Sequence, residues 1–354
     1  MERRKLRNFN LLISGLTLVF YLLPFISPFS WWPSAFLCLL IPPLLLLNFS
    51  LAVFWIYLRS WRFLISALAL LIGLRFLSGL IAINRSDQEE DDIKVMSYNV
   101  RLFNNFQKSK DRTTSRKMIR WSTDIDADIK CIQEFYHERS SRVFNTMNRF
   151  KKSTPYCYFE PYLIQKRLQY GMAIFSKYPF IKSGVVHSEK NWNNKIIFAD
   201  IKMPNDTIRV YNIHLQSMAI DISSIFQSQN EGFSKLNLSN ALKKYKKGVM
   251  RRSYQMEKLI AHISKSPYRT IVCGDLNDPP ISYSYQSLRS VLNNTFEEGG
   301  LGFGYTYDSP LPLRIDNQFC SKNIEVKDFD TVDSIRYSDH FPTFAHYNFK
   351  GKTK

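Results

Sequence analysis

The sequence predicts a mixed α/β domain carried behind an N-terminal stretch of membrane helices, and three observations predict it. Residues 11–83 hold three nearly uncharged apolar runs, 11–30, 34–58 and 62–83, each near the roughly 20 residues a helix needs to cross a bilayer. From residue 93 short apolar runs alternate with amphipathic stretches and turn signals, the pattern of strands interleaved with helices. Five of those apolar runs end directly in Asn, Asp, Glu or His, which places chemistry-bearing side chains at the rim of a sheet.

A soluble core does not need three such runs in succession. A cleaved signal peptide has one apolar stretch of about 7–15 residues and then a small-residue cleavage site, which is not seen here. Pro24, Pro28, Pro33, Pro42 and Pro43 interrupt the runs, and the tandem Pro42-Pro43 is expected to kink the second helix, because each ring removes a donor and crowds the preceding turn. Arg75 lies inside the third run, where a charge is costly unless it snorkels or faces another helix.

Orientation follows from the basic residues. Arg3, Arg4, Lys5 and Arg7 precede the first run, Arg59 and Arg62 separate the second from the third, and the first connection, "SPFSWWPS", has no charge. After the third run the chain turns acidic, "NRSDQEEDD". The positive-inside rule then puts the N-terminus in the cytoplasm and, with three crossings, everything after residue 84 outside it; two crossings would reverse the answer. The expectation for a bacterial cell is a multi-pass inner-membrane protein with a periplasmic domain: a membrane anchor over 1–83, a linker over 84–92 and a mixed α/β domain over 93–349. Such a linker reaches at most roughly 30 Å, so the domain works close to the bilayer.

Lys and Arg outnumber Asp and Glu by 48 to 30, and an excess of 12 remains once residues 1–83 are set aside. That balance favours polyanions or anionic lipid surfaces as neighbours. Its densest patch is "KKYKKGVMRR" at 243–252. Cys38, Cys131, Cys157, Cys273 and Cys320 form no CxxC pair, so neither a zinc site nor a dense disulfide scaffold is indicated.

Strands are expected at 93–100, 128–134, 172–176, 195–203, 207–215, 269–276 and 340–349, and helices at 113–125, 137–149 and 250–265, the last with Met256, Leu259, Ile260 and Ile263 at helical spacing. The polar stretch 216–248, rich in Ser and Asn, reads as a long insertion. At the strand ends, "SYNV" presents Asn99, "CIQEF" Glu134, "YNIHL" His214, "CGDLND" Asp275 and Asn277, and "SDHFP" Asp339 and His340, while "RID" adds Asp316. Convergence of such oxygen ligands is what a hard cation needs.

In this order the residues resemble the endonuclease/exonuclease/phosphatase superfamily, whose best-known member is deoxyribonuclease I. The resemblance covers 93–349. "GDLND" and "SDHFP" look like the family's GDxN and SDHxP signatures, "QYGMAIFSKYP" like its Gly-x-Ala-x-x-Ser strand, and "RRSYQMEKLIAHI" like the Arg-x-x-Gln helix before the GDxN strand. It implies a four-layer α/β/β/α sandwich and Mg²⁺-dependent hydrolysis of phosphodiesters or phosphomonoesters, with Mn²⁺ as a substitute. The substrate classes it implies are nucleic acid, lipid head groups and inositol phosphates. No obligate protein partner is inferred.

Under the resemblance Asn99 and Glu134, with Asp339, hold the metal. Asp275 and Asn277 position water and phosphorus, His214 donates to a non-bridging oxygen, Asp316 orients a histidine, and His340 faces the scissile phosphate. Arg101 stands where the abasic-site repair branch has an acid, closer to the deoxyribonuclease I branch, and is placed to meet a substrate phosphate. Asn317 follows Asp316 where many relatives have Tyr. No HExxH, GxxxxGK[ST] or GxSxG is present. The competing expectation is a catalytically inactive module of the same fold that binds an anionic ligand through 243–252.

Overall fold

In the computed structural model, which describes residues 2–84, 92–106, 112–165, 168–188, 194–217, 235–310 and 313–349, the apolar runs fold as helices. These are α1 (Glu2–Phe20), α2 (Pro33–Leu37), α3 (Ile41–Tyr57) and α4 (Phe63–Leu77). The helical stretch Pro33–Tyr57 is interrupted directly before Pro42 and Pro43. They stand in the first turn of α3, where the amides lack helical partners in any case, and a 3₁₀ turn over Cys38–Leu40 joins α2 to α3. Arg3–Phe25 and Pro33–Tyr57 are each long and apolar enough to cross a membrane. The third run is shorter than its apolar length suggests. Its helix α4 has 15 residues, about 22 Å of rise, and Ala82–Ile83 at its far end is a short strand, β1.

Side chains fix the direction of these helices. Near one end Ser66 Oγ donates to Asn10 Oδ1 at 2.6 Å, and Asn10 Nδ2 donates to the Arg62 carbonyl at 3.4 Å. Near the other, the Tyr21 and Phe76 rings stack at 5.0 Å and the Arg75 guanidinium lies 5.7 Å from the Phe25 ring. Thus α1 and α4 run parallel and α3 returns antiparallel. Asn48 of α3 completes the interior: Ser14 Oγ donates to its Oδ1 at 2.8 Å, and its Nδ2 donates to Thr17 Oγ1 at 2.8 Å.

Twelve of the described strands form two six-stranded sheets. One has the order β13 (Glu325–Thr331), β14 (Thr343–Asn348), β2 (Ile93–Asn99), β3 (Ile129–Glu138), β5 (Leu168–Ser176) and β4 (Tyr156–Gln165). The other has the order β10 (Asn293–Asn294), β12 (Asp316–Cys320), β9 (Arg269–Asp275), β8 (Thr207–His214), β7 (Lys195–Lys202) and β6 (Phe180–Ser188). Only β2–β3 and β8–β9 are parallel pairs among these neighbours. Leu301–Gly302, β11, pairs with β1.

Period-2 alternation divides the apolar residues between two cores. Val95, Ile129, Cys131 and Ile174 meet Ile197, Val210 and Ile271 between the sheets. Met96, Tyr98, Ile132 and Phe135 point the other way, onto Met118 and Ile119 of α5 (Thr113–Asp124) and Phe150 of α6 (Thr146–Phe150). Lys130 is buried on that outer face, with Nζ donating to the Ser122 and Thr123 carbonyls at 3.1 and 2.9 Å, where α5 ends; burial lowers its pKa to about 8. The second sheet carries the last turns of α7 (Lys235–Ile263) on its outside, with the Tyr211 hydroxyl 2.7 Å from His262 Nδ1. Two sheets face to face with helices outside are the layers expected.

Several boundaries differ. The helix expected at 137–149 is the end of β3 followed by the single turn of α6, because β3 continues through Tyr136 and Glu138 to pair with Tyr170 and Leu168. Residues 218–234 of the expected insertion, and 85–91 of the linker, lie outside the described residues; from Lys235 the insertion is helix continuous with the one expected at 250–265. Strands β4, β6, β12 and β13 were not expected. The chain divides into two units, one formed by Met1–Leu80, the helix residues through Tyr254 and Pro280–Ser287, the other by Ile81–Ser217, Gln255–Pro279 and Leu288–Lys354.

Candidate active site

In the second sheet, register alone brings three of the expected residues side by side: His214 of β8 pairs with Asp275 of β9, and Asp275 pairs with Asp316 of β12. The first sheet supplies the others. Asn99 ends β2 opposite Gln133, and the β3–β5 register slips between Ile132 and Phe135. Glu134 occupies that bulge with φ 51°, a left-handed conformation that costs an ordinary residue energy and re-aims its side chain. One step behind, Asn212 ties the sheets together: Gln133 Nε2 donates to its Oδ1 at 2.7 Å, and its Nδ2 donates to the Ala173 carbonyl at 2.9 Å.

Asp275 is the centre. Its Oδ2 accepts from Asn99 Nδ2 at 3.3 Å and lies 3.7 Å from His214 Nε2 and 3.8 Å from His340 Nε2, while its Oδ1 accepts the Asn277 amide at 2.7 Å. His340 Nδ1 lies 2.8 Å from Asp316 Oδ2, as expected of an acid that orients an imidazole. Glu134 Oε1 is 4.0 Å from His214 Nε2. Asn277, at φ 52°, turns its side chain to the Leu215 carbonyl at 2.9 Å, so its contact with Asp275 is through the backbone. Arg101 Nε lies 3.4 Å from Asp339 Oδ2, both side chains partly exposed, a weak pair by itself. Asp339 is tied in by Ser338, whose Oγ reaches Asp339 Oδ1 at 3.2 Å and the Asn99 carbonyl at 2.9 Å.

Electrostatics drives the two histidines apart. Burial opposes the charged form of His340, but Asp316 and Asp275 together outweigh it and raise its pKa to about 10. Burial lowers that of His214, with Asp275 acting the other way. Burial and the neighbouring Asp316 raise Asp275 to about 6, against the pull of His340 and His214. Burial also raises Glu134, partly offset by His340. A charged imidazole, a neutral one and a carboxyl near neutrality are a working set for acid–base chemistry.

Sequence reasoning missed Thr306, whose Oγ1 accepts the Ile315 and Asp316 amides at 3.0 and 2.9 Å, and Tyr307, whose ring sits 5.0 Å from that of His340. Both lie in "GFGYTYD", which carries no strand or motif signal. Ser338 was visible as the first letter of "SDHFP".

The donor set fits a hard divalent cation. Carboxylates and an amide oxygen dominate it, and Asp316 Oδ1 and His214 Nδ1 are buried with no hydrogen-bond partner. Asp275, Asp316 and His340 also offer ligand atoms within 4.8 Å of one another.

A sandwich of two sheets with acids, amides and histidines converging at one rim defines a fold class, and comparison with known proteins agrees. The model of the endonuclease/exonuclease/phosphatase family matches residues 96–340. The chain belongs to that family, whose members are hydrolases acting on phosphoester bonds and include phosphodiesterases, nucleases and phosphatases. A model of a domain of unknown function, DUF8431, matches residues 3–80. No curated protein matches the chain. Among solved structures it is similar to an endonuclease/exonuclease/phosphatase from Beutenbergia cavernae (TM-score 0.53, 15% identity, 73% of this chain and 71% of that one). It is similar also to one from Bacteroides vulgatus (0.52, 16%, 73% and 99%) and to the human Nocturnin catalytic domain with bound sulfate (0.51, 17%, 75% and 96%). At these identities the likeness establishes the fold.

Proposed function

We propose that the chain is a membrane-anchored, Mg²⁺-dependent phosphoesterase. The observation that carries this reading is the placement of Asp275 within 3.8 Å of both histidines, one of them locked by Asp316. Asn99, Glu134 and Asp339 would hold the cation; when bound, it supplies positive charge to a phosphoryl oxygen and to the leaving group. His340, kept protonated by Asp316 and Asp275, donates a charge-assisted hydrogen bond to a non-bridging oxygen, where negative charge grows as the phosphoryl group transfers. His214, held neutral, donates to a second oxygen. Asp275, whose affinity for protons is raised, orients the attacking water and takes its proton, and the Asn277 amide keeps that carboxylate in place. Arg101 at the exposed edge would meet a further phosphate of the substrate.

The anchor is the pair of spans over Arg3–Phe25 and Pro33–Tyr57 together with α4. With α4 taken as a third pass, parallel to α1, the chain would leave the bundle on the side opposite its N-terminus. With the basic residues at the start, that side is extracytoplasmic, periplasmic in a bacterial inner membrane. Full-length protein in neutral detergent, assayed with Mg²⁺ or Mn²⁺ against DNA, RNA, inositol phosphates, phospholipids and a bis-nitrophenyl phosphodiester, tests the activity. We expect hydrolysis of at least one class and its loss with a chelator. No hydrolysis of any would return the chain to a binding module.

A further inference from the structure

We propose that the first half of α7 and the Trp31–Trp32 turn form a site for anionic phospholipid head groups at the membrane surface; this rests on the membrane reading above. Residues 235–256 carry seven Lys and Arg and no Asp or Glu. The catalytic cluster described above uses none of them. The helix is two-faced: Gly248, Val249 and Arg252 are buried, while Lys243, Lys244, Lys246 and Lys247 are exposed.

Its position gives that cationic face a partner. Lys246 Nζ lies 5.8 Å from the Trp32 ring, and Tyr245 meets Phe36 edge-on at 5.9 Å. Trp32 and Phe36 flank the start of the second span, so these lysines stand at the level where an apolar span begins. Trp31 beside them is 45% exposed and Phe29 65%, the aromatic-and-lysine composition that seats at a bilayer interface. It is also the end at which the chain leaves the helices. Ile281 packs there among Tyr21, Leu23, Cys38 and Ile41, and Gly79 lies against Pro280. Four exposed lysines beside an interfacial tryptophan pair, in a stretch, 235–256, that holds no Asp or Glu, are complementary to a negatively charged lipid surface.

Native mass spectrometry of the full-length protein in neutral detergent, titrated with phosphatidylglycerol or phosphatidylcholine, reads this directly. A lysine near an anionic surface is worth about a fivefold change in binding. The wild type should therefore retain phosphatidylglycerol at least about tenfold better than phosphatidylcholine, and the quadruple K243Q/K244Q/K246Q/K247Q variant should lose that preference at an unchanged melting temperature. Equal retention of both lipids, or a preference undiminished in the variant, would overturn the inference, as would displacement of phosphatidylglycerol by a single-stranded oligonucleotide at lower concentration. If the variant fails to fold, the paired K243Q/K244Q and K246Q/K247Q variants should each lose part of the preference; no loss in either would overturn it. Alkaline carbonate extraction of membranes separates this failure from that of the reading beneath it. A chain released by carbonate overturns the membrane anchor, whereas one retained without lipid preference overturns only the head-group site.

Discussion

The two units are built inside out with respect to each other. Among the N-terminal helices Asn10, Thr17, Asn48 and Ser66 are fully buried and hydrogen-bonded, while Leu12 is 66% and Leu46 67% exposed. In the sandwich Val95, Ile174, Ile197 and Ile271 are fully buried, and the rim carries the cluster of acids and histidines. Water drives apolar surface inward, which is what the sandwich displays. A lipid environment supplies no such drive, so helices within it are held by packing and by polar contacts facing one another. Under the membrane reading proposed above, the difference teaches that the same alphabet is read against two solvents along one chain.

The largest expected break of that comparison is at the rim. His340→Ala should leave the sandwich folded and cost about 10²–10⁴ in turnover, measured as kcat on whichever phosphoester the chain hydrolyses; a folded variant within about tenfold of wild type would remove His340 from the chemistry. Asp339→Ala should also lower turnover and weaken the dependence on Mg²⁺.

A matched pair of surface substitutions asks each unit which solvent it faces. Leu46→Lys should cost about 2.5–3.5 kcal/mol in a bilayer, seen as a smaller share of membrane-inserted protein. Ile181→Lys on β6, at a position 55% exposed, should stay within about 0.5 kcal/mol. Equal tolerance at both positions would erase the contrast.

Interior amides sharpen it further. Asn212→Leu removes one partner from the Gln133 amide, which keeps Ser97 Oγ and the Cys131 carbonyl, and one each from the Ile132 and Ala173 carbonyls inside the sandwich, a loss of about 1–3 kcal/mol. Asn48→Leu, which removes the partner of Ser14 and Thr17, should cost only about 0.6–1.7 kcal/mol in the helices. Thermal denaturation in detergent orders the two.

A further effect is a slope. His340 binds its proton more tightly in the folded chain, at about 10 against an ordinary 6.5. Its stabilisation is therefore complete below about pH 6.5 and lost as pH rises towards 10. The stability difference between wild type and His340→Gln should shrink over that window; a constant difference would show that the charge of His340 contributes nothing.

Much of this was legible in the residues because apolar runs announce strands and spans, and polar residues closing a run announce a rim. Asn99, Glu134, His214 and Asp275 each close such a run. What was illegible has a physical cause. β12, "DNQFC", buries Asn317 and Gln318 in hydrogen bonds rather than apolar contact, so no hydrophobic pattern marks it, and Asp316 reads as a turn acid. The bulge at Glu134 is a choice of backbone that composition does not encode. The length of α7 was hidden because its first turns mix Asn and Ser with the apolar residues and the next turn is crowded with lysines.

The central claim is that this rim hydrolyses a phosphoester with a cation held by Glu134 and its neighbours. Its most direct test is the initial rate on a phosphodiester as a function of free Mg²⁺, for wild type and Glu134→Gln, with matched melting temperatures. The account predicts a wild-type rate that rises with Mg²⁺ and vanishes in chelator, and a half-saturating concentration raised at least about tenfold in Glu134→Gln. Hydrolysis that survives chelation unchanged, or a Glu134→Gln curve superimposed on the wild type, would contradict it.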